Sequence, residues 1–274
     1  MKVTVLGSGS GGNSTLVESE RVRILLDAGF SGRDIELRLR GLDIEPESIT
    51  GIVITHDHGD HTRGAGVLAR RFGIPLYMTP ATARACAPLL SGTETVRPYA
   101  SSRPFRIGVL EVEPFVTVHD AADPVAITVR ELPTGQRVGL ATDLGRPTAT
   151  VRAALAGCDM LVLEANHDDV RLWNGPYPWS VKQRIASSHG HLSNRAAAQL
   201  ARELFHPGLS AVALAHLSEH CNDSRLASDV VGRVLDRIGF RGWLRVAAQE
   251  APLETVDLEV MRSRAAPPQL DLFR

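Results

Sequence analysis

The stretch GIVITHDHGDHTRG, residues 51–64, restricts this chain most. An apolar run ends abruptly in three histidines and two aspartates, packed between His56 and His61. Such a run reads as a buried strand. In extended chain, residues i and i+2 point the same way, so His56 and His58 can converge on one ion. Gly59 lets the chain turn. Asp60 and His61 then open a helix expected over 61–72, where adjacent side chains can face a second ion beside the first. Neutral imidazole and carboxylate suit zinc, with manganese or iron as alternatives, better than calcium. An isolated HxH pair is common and says little. The full HxHxDH supplies two ligand pairs and is far more specific, the bland alternative being a surface cluster.

The rest of the chain supplies the frame. Short β-rich runs recur, among them KVTVLG, VRILLDAG, FRIGVLEVEPFVTVH, PVAITVRE, RVGLATD, MLVLEAN and AVALAHLS. Helical patterns lie between several of them, over 33–42, 61–72, 81–90, 147–157, 194–205 and 225–238. In 194–205, Ala197, Leu200, Ala201 and Leu204 fall at i, i+3, i+4 and i+7. No linker divides the chain and no short repeat is visible. Residues 1–260 are therefore expected to form one domain with two sheets inside and helices outside. Residues 261–274, MRSRAAPPQLDLFR, read as a flexible tail.

Composition narrows the setting. Formal net charge is -1 and pI is about 6.8, so the chain has no global attraction for polyanions. Lysine occurs only at Lys2 and Lys182, which reads as codon bias rather than a preference for bidentate phosphate contacts. Three cysteines, Cys86, Cys158 and Cys221, lie far apart with no CxxC. That predicts a reducing compartment without disulfides. The N-terminal apolar run is too short for a signal peptide. No stretch approaches the ~20 apolar residues that span a bilayer. A cytoplasmic location is expected.

Three further polar residues follow apolar runs: His119 after FVTV, Asp143 after VGLAT and His216 after AVALA. Singly, each reads as an ordinary group at a strand end. In this order behind HxHxDH, they complete a dinuclear set. With Asp27 in LLDAG, these motifs resemble the metallo-β-lactamase superfamily over residues 1–250. The resemblance implies an α/β fold, an αββα four-layer sandwich with the site at one edge. It implies two divalent metal ions, one held by His56, His58 and His119, the other by Asp60, His61 and His216. Asp143 would bridge them, and Asp27 would orient the ligand loop without binding metal. Two cations roughly 3.5–4 Å apart acidify a shared water and clamp attacking and leaving oxygens. The expected nucleophile is a bridging hydroxide, which Asp60 could also orient. A phosphodiester is a natural target, because its displacement develops negative charge beside the metals.

Fold alone does not choose the substrate. The loop GSGSGGNS, 7–14, lacks the lysine of a P-loop. Its backbone N–H groups with Ser8, Ser10 and Asn13 could cradle a phosphate, or the loop could be a plain tight turn. LEANHDD places Asn166 and His167 at another strand end. GPYPWSVKQRIASSHGHLSN adds Lys182, Arg184, His189 and His191. These segments, with HDAADPV and HLSEHCN, resemble the WalJ/YycJ-like branch of the superfamily. That resemblance implies a phosphodiesterase, a DNA nuclease with proposed 5′→3′ exonuclease polarity. Under it, Asn166, Lys182 and Arg184 are candidate substrate contacts, and His167, His189 and His191 are candidate catalytic groups. His191 could equally be a structural group ahead of a helix capped by Ser193. The chain is too short for the large inserted domain of the superfamily's RNA-processing nucleases. Histidine at 58, where flavodiiron proteins carry glutamate, argues against a redox di-iron site.

The tail offers a partner. Gln269, Leu270, Asp271, Leu272 and Phe273 resemble the pentapeptide by which bacterial replication and repair proteins dock on the DNA polymerase sliding clamp. A pocket on such a partner would bury the leucine and phenylalanine. Packing of the segment on its own domain is the alternative. For the whole protein, a small-molecule thioester or lactone hydrolase and a non-catalytic adaptor are the competing readings.

Overall fold

The structure is a computed structural model that describes residues 1–20 and 22–265. Two seven-stranded mixed sheets face each other. The first is built from β1 (Lys2–Gly7), β2 (Ser14–Ser19), β3 (Val22–Leu26), β4 (Gly51–Val53), β5 (Leu76–Met78) and β6 (Val96–Pro98). The second holds β7 (Phe105–Ile107), β8 (Leu110–Val116), β9 (Val125–Glu131), β10 (Arg137–Ala141), β11 (Met160–Glu164), β12 (Ala211–Ala215) and β13 (Trp243–Val246). β14 (Val256–Asp257) returns to the outer edge of the first sheet beside β1.

The inner strands are apolar on both faces because both faces are covered, whereas β6, β7, β8 and β13 leave part of one face exposed. Ile24 and Leu26 of β3, Val53 of β4, Met160 and Val162 of β11, and Ala211, Ala213 and Ala215 of β12 meet in the layer between the sheets. The intervening residues face outward. Leu25 and Ile52 pack under α1 (Gly32–Arg40), which leads from β3 to β4, and α3 (Ala65–Phe72), which follows β4 after the short turn α2 (Gly59–Thr62). Beyond β5, α4 (Pro80–Ala85) closes that side. On the second sheet, Leu161, Leu163, Val212 and Leu214 pack under α5 (Ala149–Leu155), α8 (Asn194–Leu204) and α9 (Ser224–Arg237). Each such leucine or isoleucine, fully buried, contributes about 1.5–3 kcal/mol. The result is the four-layer αββα order.

Three features depart from the sequence reading. FRIGVLEVEPFVTVH is not one strand: Gly108, in the left-handed region at φ 57°, turns it into the β7–β8 hairpin. Two helices lie in the stretch 169–186, α6 (Asp169–Asn174) and α7 (Trp179–Ala186). α7 buries none of its residues, so no apolar periodicity marked it. Finally, α10 (Leu258–Ala265) runs across position 261, where the tail was expected to begin. Gln269 to Phe273 lie outside the described residues.

One consequence of the topology matters most. β3, β4 and β5 run parallel, as do β10, β11 and β12, and β1 and β8 share their sheets' directions through paired antiparallel neighbours. All these strands therefore end at one edge. Loops leaving them meet there although far apart in sequence.

Candidate metal centre and active site

Each polar group singled out at a strand end arrives at that shared edge. Asp27 leaves β3, His56 and His58 leave β4, His119 follows β8, Asp143 follows β10 and His216 follows β12. Asp27, Asp143 and His216 all have φ between 55° and 63°, a left-handed conformation that a side-chain-bearing residue adopts at a cost. Each turns the chain sharply where the strand stops. Side-chain acceptors compensate: Ser8 Oγ accepts the His216 N–H at 2.8 Å, and Glu164 Oε1 accepts the Asp143 N–H at 3.2 Å. Gly29 allows the neighbouring loop to approach Asp60, since a Cβ there would lie 1.6 Å from the Asp60 carbonyl oxygen.

The side chains fall into four overlapping groups, the two expected triads together with His56, His61 and Asp143 and with Asp143, Glu164, His191 and His216. His56, His58 and His119 bring ligand atoms within 4.8 Å of one another, and so do Asp60, His61 and His216. Asp143 stands between them, Oδ2 3.1 Å from His61 Nε2 and Oδ1 3.6 Å from His119 Nε2. This is the grouping expected from the sequence.

Hydrogen bonds fix each ring's orientation. His61 Nδ1 donates to Asp27 Oδ2 at 2.8 Å, and His216 Nδ1 donates to Glu164 Oε1 at 2.9 Å. His119 Nδ1 donates to the Gly190 carbonyl at 3.2 Å, and His58 Nε2 to the Asp120 carbonyl at 2.9 Å. The Thr55 hydroxyl donates to Asp27 Oδ2, leaving its oxygen to accept from His56 Nδ1 at 3.0 Å. Every imidazole thus spends one N–H on a protein oxygen and turns its other nitrogen inward, the arrangement that metal-binding histidines adopt. The acceptor oxygens require these tautomers.

Two buried atoms inside the cluster, His56 Nε2 and Asp143 Oδ2, have no hydrogen-bond partner. Orphaned polar atoms at such depth are costly unless something binds them, and a nitrogen lone pair beside a carboxylate oxygen fits a divalent cation. Electrostatics agree. Burial opposes charge on His61 and His216, yet Asp27, Asp143 and Glu164 outweigh it, holding His61 well above its ordinary pKa and His216 up at about 10. Burial would likewise raise Asp143, but His216 and His61 bring it well below the carboxylate range. The pocket's acids demand positive charge. His56 and His119 are pushed down by burial and so are ready lone-pair donors.

The remaining candidates separate. The cleft over the clusters, about 190 Å³, is lined by Ser10, Asn166, Arg184 and His191 together with His58, Asp60, His119, Asp143 and His216. Ser8 and Asn13 are buried, and their side chains are engaged with one another and with the ligand loop. Ser8 Oγ donates to Asn13 Oδ1, while Asn13 Nδ2 reaches the Gly9 carbonyl and Asp60 Oδ2. Both hold the ligand loops. Asn166 lines the cleft, but its amide donates to the His216 carbonyl. His167 is buried outside the cleft, with Nδ1 unpartnered and its pKa lowered by burial. His189 is exposed beside Ser188, away from the cleft. Lys182 donates to the Trp173 carbonyl, and Arg184 pairs with Asp120 at 3.3 Å. Of the three candidate histidines, only His191 reaches the centre, 3.6 Å from Asp143 Oδ1, while Ser193 caps α8 as expected.

Sequence reasoning missed Glu164. It is fully buried and accepts five hydrogen bonds: from His191 Nδ1, His216 Nδ1 and the N–H groups of Asp143, Leu144 and Leu192. Burial would raise its pKa, but His191 and His216 outweigh that and bring it down to about 2. The available signal was a carboxylate at the last position of an otherwise apolar strand, MLVLE.

Comparison with known proteins bears on this geometry. Residues 22–235 match the model of the beta-lactamase superfamily domain. The chain is 35% identical to exodeoxyribonuclease YycJ of Bacillus anthracis, over 86% of this chain and 90% of that protein. It is 34% identical to exodeoxyribonuclease WalJ of Streptococcus pneumoniae, over 82% of this chain and 85% of that one. Among solved structures, the metallo-beta-lactamase fold protein YhfI of Bacillus subtilis superposes with a TM-score of 0.71 at 21% identity, covering 92% of this chain and 98% of that one. This last likeness concerns the fold alone.

Proposed function

This chain belongs to the metallo-β-lactamase superfamily of metal-dependent hydrolases, and from that premise we propose that it is a dinuclear exodeoxyribonuclease of 5′→3′ polarity. The observation that carries the dinuclear reading is the inward-turned set of five imidazoles with Asp60 and Asp143 among them. The DNA substrate rests on the two exodeoxyribonucleases that the chain resembles over most of its length.

In this reading His56, His58 and His119 would hold one ion and Asp60, His61 and His216 the other, with Asp143 available to either. Zinc is the first candidate and manganese or iron the alternatives. Two such cations supply an activated water at neutral pH and charge stabilisation for a phosphoryl group. The chain's own residues do the rest. Asp27, Thr55 and Glu164 lock the ring orientations. His191, oriented by Glu164 and open to the cleft, is placed to give a proton to the leaving oxygen. Arg184 and Ser10 border the cleft where the strand would enter.

Recruitment completes the proposal. Residues Gln269–Phe273 dock on the DNA polymerase sliding clamp, which raises the effective DNA concentration for a protein of net charge -1. A cytoplasmic location goes with this reading, since the proposed DNA substrate and clamp are found there. Among the described residues, no helix is long and apolar enough to cross a membrane.

The deciding experiment is digestion of 5′- and 3′-labelled DNA and RNA by protein reconstituted with zinc or manganese. Progressive loss of DNA from the 5′ end is expected, abolished by chelator and by Asp143→Ala. Intact DNA under every metal condition would end the nuclease reading. Separately, Leu272→Ala with Phe273→Ala should abolish association with purified clamp. Unchanged association would remove the recruitment step.

A further inference from the structure

The segment from α6 through α7 carries apolar surface that neither the core nor the metal centre uses. Trp173 is 42% exposed and Trp179 is 63% exposed, and the two rings lie 5.2 Å apart at 42°. Large side chains shown to solvent together mark a contact surface more often than an isolated exposed leucine does. α7 buries none of its residues, so it presents side chains instead of anchoring the domain. The surface is continuous with the cleft. Tyr177, two residues before Trp179, lines the cleft with Val181 and Arg184 from α7, and its ring lies 5.4 Å from that of His220. Chain connectivity keeps the Cα atoms of Tyr177 and Trp179 within ~7 Å.

Size decides what such a surface receives. At about 190 Å³ the cleft is smaller than the ~300–1,000 Å³ of ordinary small-molecule pockets. It suits the scissile phosphodiester and its immediate sugar, and leaves neighbouring bases outside, at the rim where the aromatic rings stand. Aromatic faces bind bases of any sequence by stacking, provided the bases are not already stacked in a duplex. Arg184 supplies a cation at the same rim. Resting on the nuclease reading, we infer that Tyr177, Trp173 and Trp179 form a base-stacking track for single-stranded DNA beside the metal cleft. The enzyme therefore prefers a frayed or single-stranded end to a blunt duplex, and it contacts bases without reading their sequence.

The test compares the wild-type protein with the Trp173→Ala/Trp179→Ala variant. Only three tryptophans are present, the third being Trp243 on β13, so fluorescence reports mainly on the track. Oligothymidylate added in chelator, where no cleavage occurs, should quench wild-type fluorescence saturably. Affinity in the variant, read by anisotropy of labelled oligothymidylate, should fall at least about fivefold, the smaller end of one stacking contact. With metal, abasic residues near the cleaved end should raise KM by a similar factor in wild type and by a clearly smaller factor in the variant, which keeps Tyr177. Trp173→Phe/Trp179→Phe should restore most of the discrimination and guards against misfolding. Equal KM for base-bearing and abasic strands in wild type, or full affinity in the alanine variant, would overturn the track while leaving the nuclease reading intact. Tight oligothymidylate binding with no cleavage under any metal would do the reverse. A concentration-dependent dimer that the alanine variant alone loses, with DNA binding unchanged, would assign the surface to a second copy and also overturn it.

Discussion

Glu164→Gln is the most exacting perturbation of this centre, because it keeps the volume and removes only charge and acceptor capacity. Glu164 Oε1 accepts from His191 Nδ1, His216 Nδ1 and the Asp143 N–H, while Oε2 accepts from the Leu144 and Leu192 N–H groups. A glutamine must aim its NH2 at one of these sets. The milder orientation sets it against two backbone donors, and both bonds are lost in a fully buried site. Hydrogen bonds to a charged group are worth ~1.5–3 kcal/mol each, so the loss is about 3–6 kcal/mol of a total stability of ~5–15 kcal/mol. At ~2–4 °C per kcal/mol for a chain approaching this size, Tm of the metal-free protein should fall by at least roughly 6 °C. The rings of His191 and His216 keep an acceptor in the amide oxygen but lose the carboxylate charge that orients and polarises them, and metal affinity should drop by about 10–100-fold. The assays are thermal unfolding in chelator and metal titration against a competing indicator. A variant within ~1 kcal/mol of wild type by the first, with unchanged affinity by the second, would refute the assignment of Glu164 as the group that organises both histidines.

Three further outcomes are expected. His191→Ala should lower kcat by about 10²–10⁴ while elemental analysis still finds the metal complement, whereas exposed His189→Ala should change kcat little. In metal-free protein, His216 has its pKa raised from 6.5 to about 10; its stabilisation is complete below 6.5 and is lost as pH rises through 10, so Tm should decline across that interval. Metal-loaded protein needs the neutral ring and should lack that decline; a flat metal-free profile would contradict the ion-pair account. Burial pushes the Cys158 thiol up to about 12 and the Cys86 thiol up to about 11. Native protein should therefore resist alkylation at both positions at neutral pH, as read by intact mass, until it is unfolded.

The clustered donors were legible because apolar runs stop where they begin. A strand buried on both faces carries few polar groups until it leaves the sheet, so Asp143 and His216 advertise their strand ends, His119 closes the alternating strand β8, and the two-residue spacing of His56 and His58 places both rings on one side. Helices with a buried stripe, such as α8 and α9, were legible for the same reason. α6 and α7 were not, since α6 is six residues long and buries only Leu172, and α7 buries none of its residues, so neither has a periodicity to read. Nor was the division among the candidate histidines. His167, His189 and His191 lie within one short region of sequence, yet one is buried, one is exposed and one reaches the centre.

By itself, then, the sequence determined the chemistry of the donors and the layering of the fold, because residue type and apolar spacing act over a few neighbouring positions. Tertiary structure alone decided which groups hold those donors in place. Ser8 bonds to the backbone of His216 across 208 positions, Asp27 to His61 across 34 and Glu164 to His216 across 52. Contacts of that range follow from strand order, which brings distant strand ends to one edge, and no local pattern encodes them.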